Sequence, residues 1–180
     1  MSRRHGLVPI LATLGLGGAA CALLAWRPAP PQLMWNATSS VPIGLYRLVP
    51  PADPRIGDLV VVAPPPHLAA LLSARGLLPS GVPLLKPVAA LPGATVCRRG
   101  GMVTIDGVGI GMARERDPLG RPLPRWSGCR HLGADELFVM NAKVPGSFDG
   151  RYFGPTRRAD ILARAEPLWS PGRRDVGGGR

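Results

Sequence analysis

Few side chains in this sequence could do covalent chemistry. Of its 22 basic residues, two are lysines, Lys86 and Lys143. Lys86 alone lies in an apolar stretch, between Leu84, Leu85, Pro87 and Val88. Apolar surroundings disfavour the ammonium form, so the pKa of such a lysine falls and its free amine can act as a base near neutral pH. A base of that kind can activate a serine hydroxyl, which is a poor nucleophile until its proton is removed. The other reading of Lys86 is a strand-edge lysine that reaches past its apolar neighbours to water. Histidine chemistry has less support. The histidines are His5, His67 and His131, none in a setting that suggests a triad, and no Gly-x-Ser-x-Gly turn is present. Cys97 and Cys129, taken with His67 and His131, lack metal-ligand spacing. No metal or other cofactor is expected.

Gly (24) and Pro (22) are frequent and aromatic residues make up 5%, which points to many turns and away from a helix bundle. The formal net charge of +11 suits either nucleic acid or anionic lipid headgroups. Its arginines come as scattered pairs such as Arg3-Arg4, Arg98-Arg99, Arg157-Arg158 and Arg173-Arg174. There is no basic stripe with interleaved aromatics, no zinc-finger spacing and no helix-turn-helix pattern. Direct nucleic-acid binding is therefore not expected, and a lipid surface is the favoured partner.

Residues 6–26 carry no charge and form an apolar stretch of about 21 residues, long enough to cross a bilayer as one helix. Arg3, Arg4 and His5 precede it and Arg27 alone follows closely, so residues 1–5 are expected in the cytoplasm and the remainder outside. A cleavable signal peptide is the alternative, since residues 17–22 are small enough to hold a cleavage site. The expected order is then a cytoplasmic N-terminus (1–5), a transmembrane anchor (6–26), a Pro-rich spacer (27–35), a folded domain (36–170) and a disordered Gly-rich tail (171–180). In an oxidising compartment Cys97 and Cys129 are expected to form a disulfide, two free thiols being the alternative.

Within the folded part, strands are expected over residues 44–49, 58–63, 84–91, 136–140 and 159–168. Pro87 is expected to break the strand of Lys86 and to bias that residue towards an extended conformation. Residues 102–110 read as a hairpin turning at Asp106-Gly107. Residues 67–78 read as a short helix or lid. Residues 114–129 read as a long surface loop. The sum is a mainly antiparallel β domain with one short helix, preceded by a single transmembrane helix.

Four blocks in order along residues 36–155 resemble one known family. Asn36-Ala37-Thr38-Ser39-Ser40-Val41-Pro42 is similar to its nucleophile box. Leu84-Leu85-Lys86-Pro87-Val88 resembles its lysine box. Val103-Thr104-Ile105-Asp106-Gly107 is like the hairpin that follows. Ser147-Phe148-Asp149-Gly150-Arg151-Tyr152-Phe153-Gly154 is similar to its Ser-x-Asp-x-Arg-Tyr-x-Gly box. The family is the signal peptidase I family of serine endopeptidases, and more closely the conjugative-transfer peptidases of the TraF type. The resemblance implies Ser40 as nucleophile, in preference to Ser39, and Lys86 as general base. It implies Thr38 and the Ser40 N–H as oxyanion-hole donors, Ser147 as the residue that orients the lysine, and Asp149 with Arg151 as a supporting charged pair. A surface turn with an ordinary ion pair is the plain reading of those last two.

The sequence departs from the family where Pro87 follows the lysine, where Ala94 follows Gly93, and where Asn141-Ala142-Lys143-Val144-Pro145 replaces a Gly-Asn pair. That last change favours the conjugative type over a housekeeping signal peptidase. The resemblance also implies an exported precursor as substrate, such as a pilin subunit, with small side chains before the cleaved bond and cyclisation as a second outcome. The chain would sit in the inner membrane with its catalytic domain on the outer face, near conjugation machinery. A non-enzymatic scaffold of such a complex and an anchored nucleic-acid-binding protein are the competing classes.

Overall fold

The computed structural model describes residues 15–17, 32–51 and 53–171. Residues 15–17 are helical and exposed. The rest of the anchor expected over residues 6–26 lies outside the described residues, as do residues 1–5, expected in the cytoplasm, most of the expected spacer and the tail beyond Pro171. Among the described residues no helix is long and apolar enough to cross a membrane. The unit that begins at Gln32 holds both described β-sheets and a cavity lined by residues between Met34 and Tyr152.

In chain order this unit forms β1 (Leu33–Asn36), β2 (Gly44–Val49), β3 (Leu59–Val62), α1 (Pro66–Ala74), β4 (Leu84–Ala90), β5 (Thr95–Arg99), β6 (Met102–Ile105), β7 (Val108–Met112), β8 (Gly128–His131), β9 (Glu136–Val139), α2 (Gly150–Phe153), β10 (Thr156–Arg157), a single 3-10 turn (Arg158–Asp160) and β11 (Ile161–Trp169). Among the described residues the strands make two antiparallel sheets. One runs β1-β2-β11-β3-β4-β9-β10, the other β7-β6-β5-β8.

Strand β3 explains why the larger sheet has a core on both faces. Its run of valines is buried throughout, with Val60 and Val62 packed on Leu68 and Leu72 of α1, and Val61 packed on Tyr46, Leu85 and Ala163. Alternation along β4 then puts Lys86 on the same face as Leu84 and Val88, the face that α1 covers. The smaller sheet packs Val96 and Val103 against Phe138, Leu132 and Met140. Asp106 and Gly107 both have positive φ, 49° and 83°, and join β6 to β7 in the tight turn that the sequence pattern predicts.

Several expectations need correction. Pro87 does not break β4, which runs unbroken from Leu84 to Ala90. Pro87 lies opposite Leu59, and its carbonyl accepts from the Met140 N–H at 3.0 Å, just past the end of β9. The hydrogen bond that proline cannot donate therefore falls where that ladder ends, where its cost is least. Residues 33–35, read as spacer, belong to β1. The loop expected over residues 114–129 ends in β8, which pairs with β5. A second, one-turn helix, α2, adds to the single helix expected.

Candidate functional site

Residues 36–42 form a turn held from within by Asn36, which is buried. Asn36 Nδ2 donates to the carbonyls of Thr38 (2.8 Å), Val41 (3.2 Å) and Pro42 (3.0 Å). These donors fix the orientation of the amide, so Oδ1 faces Thr38 and accepts from its N–H at 3.2 Å and from its hydroxyl at 2.8 Å. The Thr38 hydroxyl lies 3.2 Å from Ser40 Oγ. A hydroxyl has one proton to give. With that of Thr38 on Asn36, Ser40 is the donor to Thr38. Ser40 is half-buried, Thr38 and Ser39 are exposed, and the Ser40 N–H has no acceptor among the described residues.

Lys86 is 3% exposed. Burial is the main influence on its amine and brings the pKa down to about 8; the Asp149 carboxylate acts in the opposite direction and the Arg151 guanidinium in the same one. The strand-edge reading, with the amine in water, does not describe this side chain.

Residues 141–149 form the third part. Asp149 is 0% exposed and caps α2, and Arg151 is 1% exposed. Arg151 Nε meets Asp149 Oδ1 at 2.8 Å, so the surface-turn reading of this pair does not hold. The guanidinium also donates to the carbonyls of Asn141 (2.7 Å), Pro145 (3.2 Å), Val144 (3.3 Å) and Met112 (3.3 Å), while Asp149 Oδ2 accepts from the Asn141 N–H at 3.1 Å. One buried ion pair thus ties the loop to itself and to β7. The loop holds Ser147, whose buried hydroxyl has no protein partner among the described residues. Asn141 Nδ2 donates to the Ser40 carbonyl at 2.6 Å, linking the loop to the first turn across 101 residues.

Thr38, Ser39, Ser40, Lys86 and Ser147 all line one cavity of about 620 Å³. Asp149 and Arg151 stand behind its wall. Among the described residues Lys86 makes no hydrogen bond to Ser40 or Ser147. Most of the remaining lining is apolar, including Met34, Leu72, Leu78, Leu85 and Phe148. The cavity is larger than one small side chain needs. Residues 114–123, read as plain surface, supply Arg114, Asp117 and Leu123 to its wall. Cys97 and Cys129 lie elsewhere, opposite each other in β5 and β8, joined by a disulfide with their Cα atoms 4.0 Å apart. Among the described residues no cluster of His, Cys, Asp or Glu could hold a metal ion.

Sequence reasoning passed over Asn36 and Asn141. Asn-x-Thr at Asn36 signals a side-chain-capped turn. The contact of Asn141 with Ser40 leaves no local signal.

The signal peptidase, peptidase S26 family matches residues 4–169 of this chain. A probable conjugal transfer protein TraF from Sinorhizobium fredii (strain NBRC 101917 / NGR234) is 36% identical over 181 residues, covering 93% of this chain and 93% of the relative. A plasmid transfer protein TraF from Escherichia coli is 32% identical over 180 residues, covering 93% of this chain and 98% of the relative. A solved signal peptidase I from Enterococcus faecalis V583 overlaps 63% of this chain and 97% of its own at 19% identity, with a TM-score of 0.36, too low to bear on the fold.

Proposed function

Because the chain belongs to the signal peptidase, peptidase S26 family, we propose that it is a membrane-anchored serine endopeptidase in which Ser40 is the nucleophile and Lys86 the general base. The observation that carries this reading is a buried lysine, its pKa brought down to about 8, lining the same cavity as a half-buried serine. At that pKa a useful fraction of the amine is free near neutral pH.

The Ser40 hydroxyl turns from Thr38 to Lys86, and Ser40 Oγ attacks the scissile carbonyl while Lys86 Nζ takes its proton. The tetrahedral oxyanion is met by the unengaged Ser40 N–H, and by the Thr38 hydroxyl once it leaves Asn36. One such donor is typically worth about 3 kcal/mol in the transition state. Protonated Lys86 then gives its proton to the leaving amine, and an ester to Ser40 remains. Water resolves that ester to a free carboxylate; an amine from the substrate would resolve it to a new peptide bond. Ser147, buried beside the cavity with an unpartnered hydroxyl, can orient the lysine amine. Asp149 and Arg151 hold the loop that carries it.

The relatives are named for conjugal and plasmid transfer, which favours a substrate from a conjugation system over general removal of signal peptides. The substrate proposed is an exported precursor such as a pilin subunit. The anchor over residues 6–26 would place the cavity at the outer face of the inner membrane, where such a precursor emerges.

The test is cleavage of a co-expressed pilin precursor by the full-length protein in membranes, read by mass spectrometry. Ser40→Ala and Lys86→Ala should leave the precursor intact. Lys86→Arg should also be inactive, because a guanidinium keeps its proton at any usable pH. The wild-type rate should climb as pH rises through about 8, where Lys86 loses its proton. Normal cleavage by Ser40→Ala would end the assignment. The mass of the product separates hydrolysis from cyclisation, which is lighter by one water.

A further inference from the structure

We infer that Asn36 is a positioning residue for the nucleophile, acting through Thr38 in a hydrogen-bond chain of fixed direction. This rests on the proposed role of Ser40.

The direction of the chain follows from counting donors. Asn36 Nδ2 is committed to three main-chain carbonyls of its own turn, at 2.8–3.2 Å. Turning the amide over would set its oxygen against all three, so the observed orientation is the stable one. Oδ1 is left as an acceptor aimed at Thr38, and an amide oxygen cannot donate. The Thr38 hydroxyl must give its proton to Asn36, at 2.8 Å. Its lone pairs then face Ser40 Oγ, at 3.2 Å, and hold that hydroxyl as the donor. Ser40 is thereby kept in one rotamer, its own lone pairs directed away from Thr38.

Two further features favour positioning over simple turn stability. Asn36 is buried, 6% exposed, at the end of β1, and lines the same cavity as the half-buried serine it steers. The same turn is also gripped from the far side, where Asn141 Nδ2 holds the Ser40 carbonyl at 2.6 Å. The peptide after Ser40 is fixed by one asparagine and the hydroxyl of Ser40 by the other. The chain also has a consequence for Thr38. Its hydroxyl serves Asn36 in the resting state and can serve an oxyanion only after exchange of partners, so Asn36 sets when that donor becomes available.

The experiment is a double-mutant cycle on the full-length protein with a fluorogenic peptide substrate, comparing wild type, Asn36→Ala, Thr38→Val and the double variant. Asn36→Ala should lower kcat about 100-fold, the scale of a misplaced reacting group, and change KM less than about threefold. If the residues act as one chain, the double variant should be no slower than the slower single variant, since coupled losses do not add. Thr38→Ser, which keeps the hydroxyl, should recover most of the lost rate. The midpoint of the pH profile should stay near 8 in Asn36→Ala with only the plateau lowered, because Lys86 remains buried. Should Asn36→Ala fail to fold, the isosteric Asn36→Asp separates the two roles. It keeps the acceptor for Thr38 and loses the donors to the three carbonyls. It should therefore lose stability while the folded enzyme keeps kcat within about threefold of wild type. A kcat loss as large as that of Thr38→Val would overturn the inference. In the Asn36→Ala cycle, unchanged kcat, fully additive losses, or a displaced pH midpoint would each overturn the inference, the last two by showing an independent or a merely structural role. Ser40→Ala serves as the control. If it is active, the proposed function fails; if it is inactive and Asn36→Ala is not, only the present inference fails.

Discussion

Lys86 and its charged neighbours decide how this molecule responds to pH. The lysine titrates near 8 when folded against an ordinary 10.5. The lowered pKa means that the unfolded chain binds more protons between those values, so stability rises with pH across that window and is lost again as pH falls through 8. At pH 7 the fold therefore carries a buried cation. Lys86→Met keeps most of the volume and removes the charge, and Asp149 is left paired with Arg151. This variant should be inactive yet more stable than wild type at pH 7, by about 1–3 kcal/mol. Its advantage should shrink as pH approaches 10.5. Chemical denaturation at pH 7 and pH 10 checks both parts. Arg151→Met should act in the other direction. It leaves Asp149 buried and unpaired, at a cost of about 3–5 kcal/mol. It also removes a cation that lowers the Lys86 pKa and unmasks an anion that raises it. The amine then needs a higher pH to lose its proton, so the rate profile of whatever folded enzyme remains should move to higher pH.

At the scale of elements, the site depends on α2 beginning where it does. Gly150 opens that helix, and a Cβ placed there would lie 2.7 Å from the Val139 carbonyl and 2.8 Å from the Phe138 ring. Neither neighbour is the loose end of a flexible chain. Gly150→Ala should cost about 1–3 kcal/mol through overpacking, and should lower kcat by moving the adjacent Arg151. Urea denaturation and steady-state rates read the two effects. The central strands were plain in the sequence because their residues repeat one message. Leu59, Val60, Val61 and Val62 are β-prone and apolar, and Asp106-Gly107 is chemistry that a tight hairpin requires. Strand β8 was hidden because Gly128, Cys129, Arg130 and His131 are all exposed and have no apolar alternation. It exists through main-chain pairing with β5. Strand β1 was hidden by the prolines just before it, although Met34 packs beside the core.

At the scale of the whole folded unit, the smaller sheet carries the covalent link, and it meets the site loop where Arg151 donates to the Met112 carbonyl of β7. Cys97 and Cys129 are 32 residues apart, a loop whose closure stabilises by about 3–4 kcal/mol in the chain-entropy account. Replacing both by Ala should lower unfolding stability by that order. Cleavage at 25 °C should change less than about twofold, since neither cysteine lines the cavity. Denaturant titration and the peptide assay test the two statements. A large loss of rate with normal stability would mean that the smaller sheet shapes the cavity directly.

The sequence by itself determined which residues could do chemistry and what their neighbours were. Lys86 stood out as the one lysine in an apolar stretch, and Ser40 through the resemblance of residues 36–42 to a nucleophile box. Both are local properties, read within a few residues of chain. The tertiary structure decided the rest. It brought Ser40 and Lys86 to one cavity, buried the Asp149–Arg151 pair that a local reading leaves on the surface, and linked Asn141 to the Ser40 carbonyl. Each of these joins segments far apart in sequence, and none has a periodic or compositional trace. Burial and hydrogen-bond partnership depend on what the rest of the chain packs against a side chain, so they become defined when the sheets close over it.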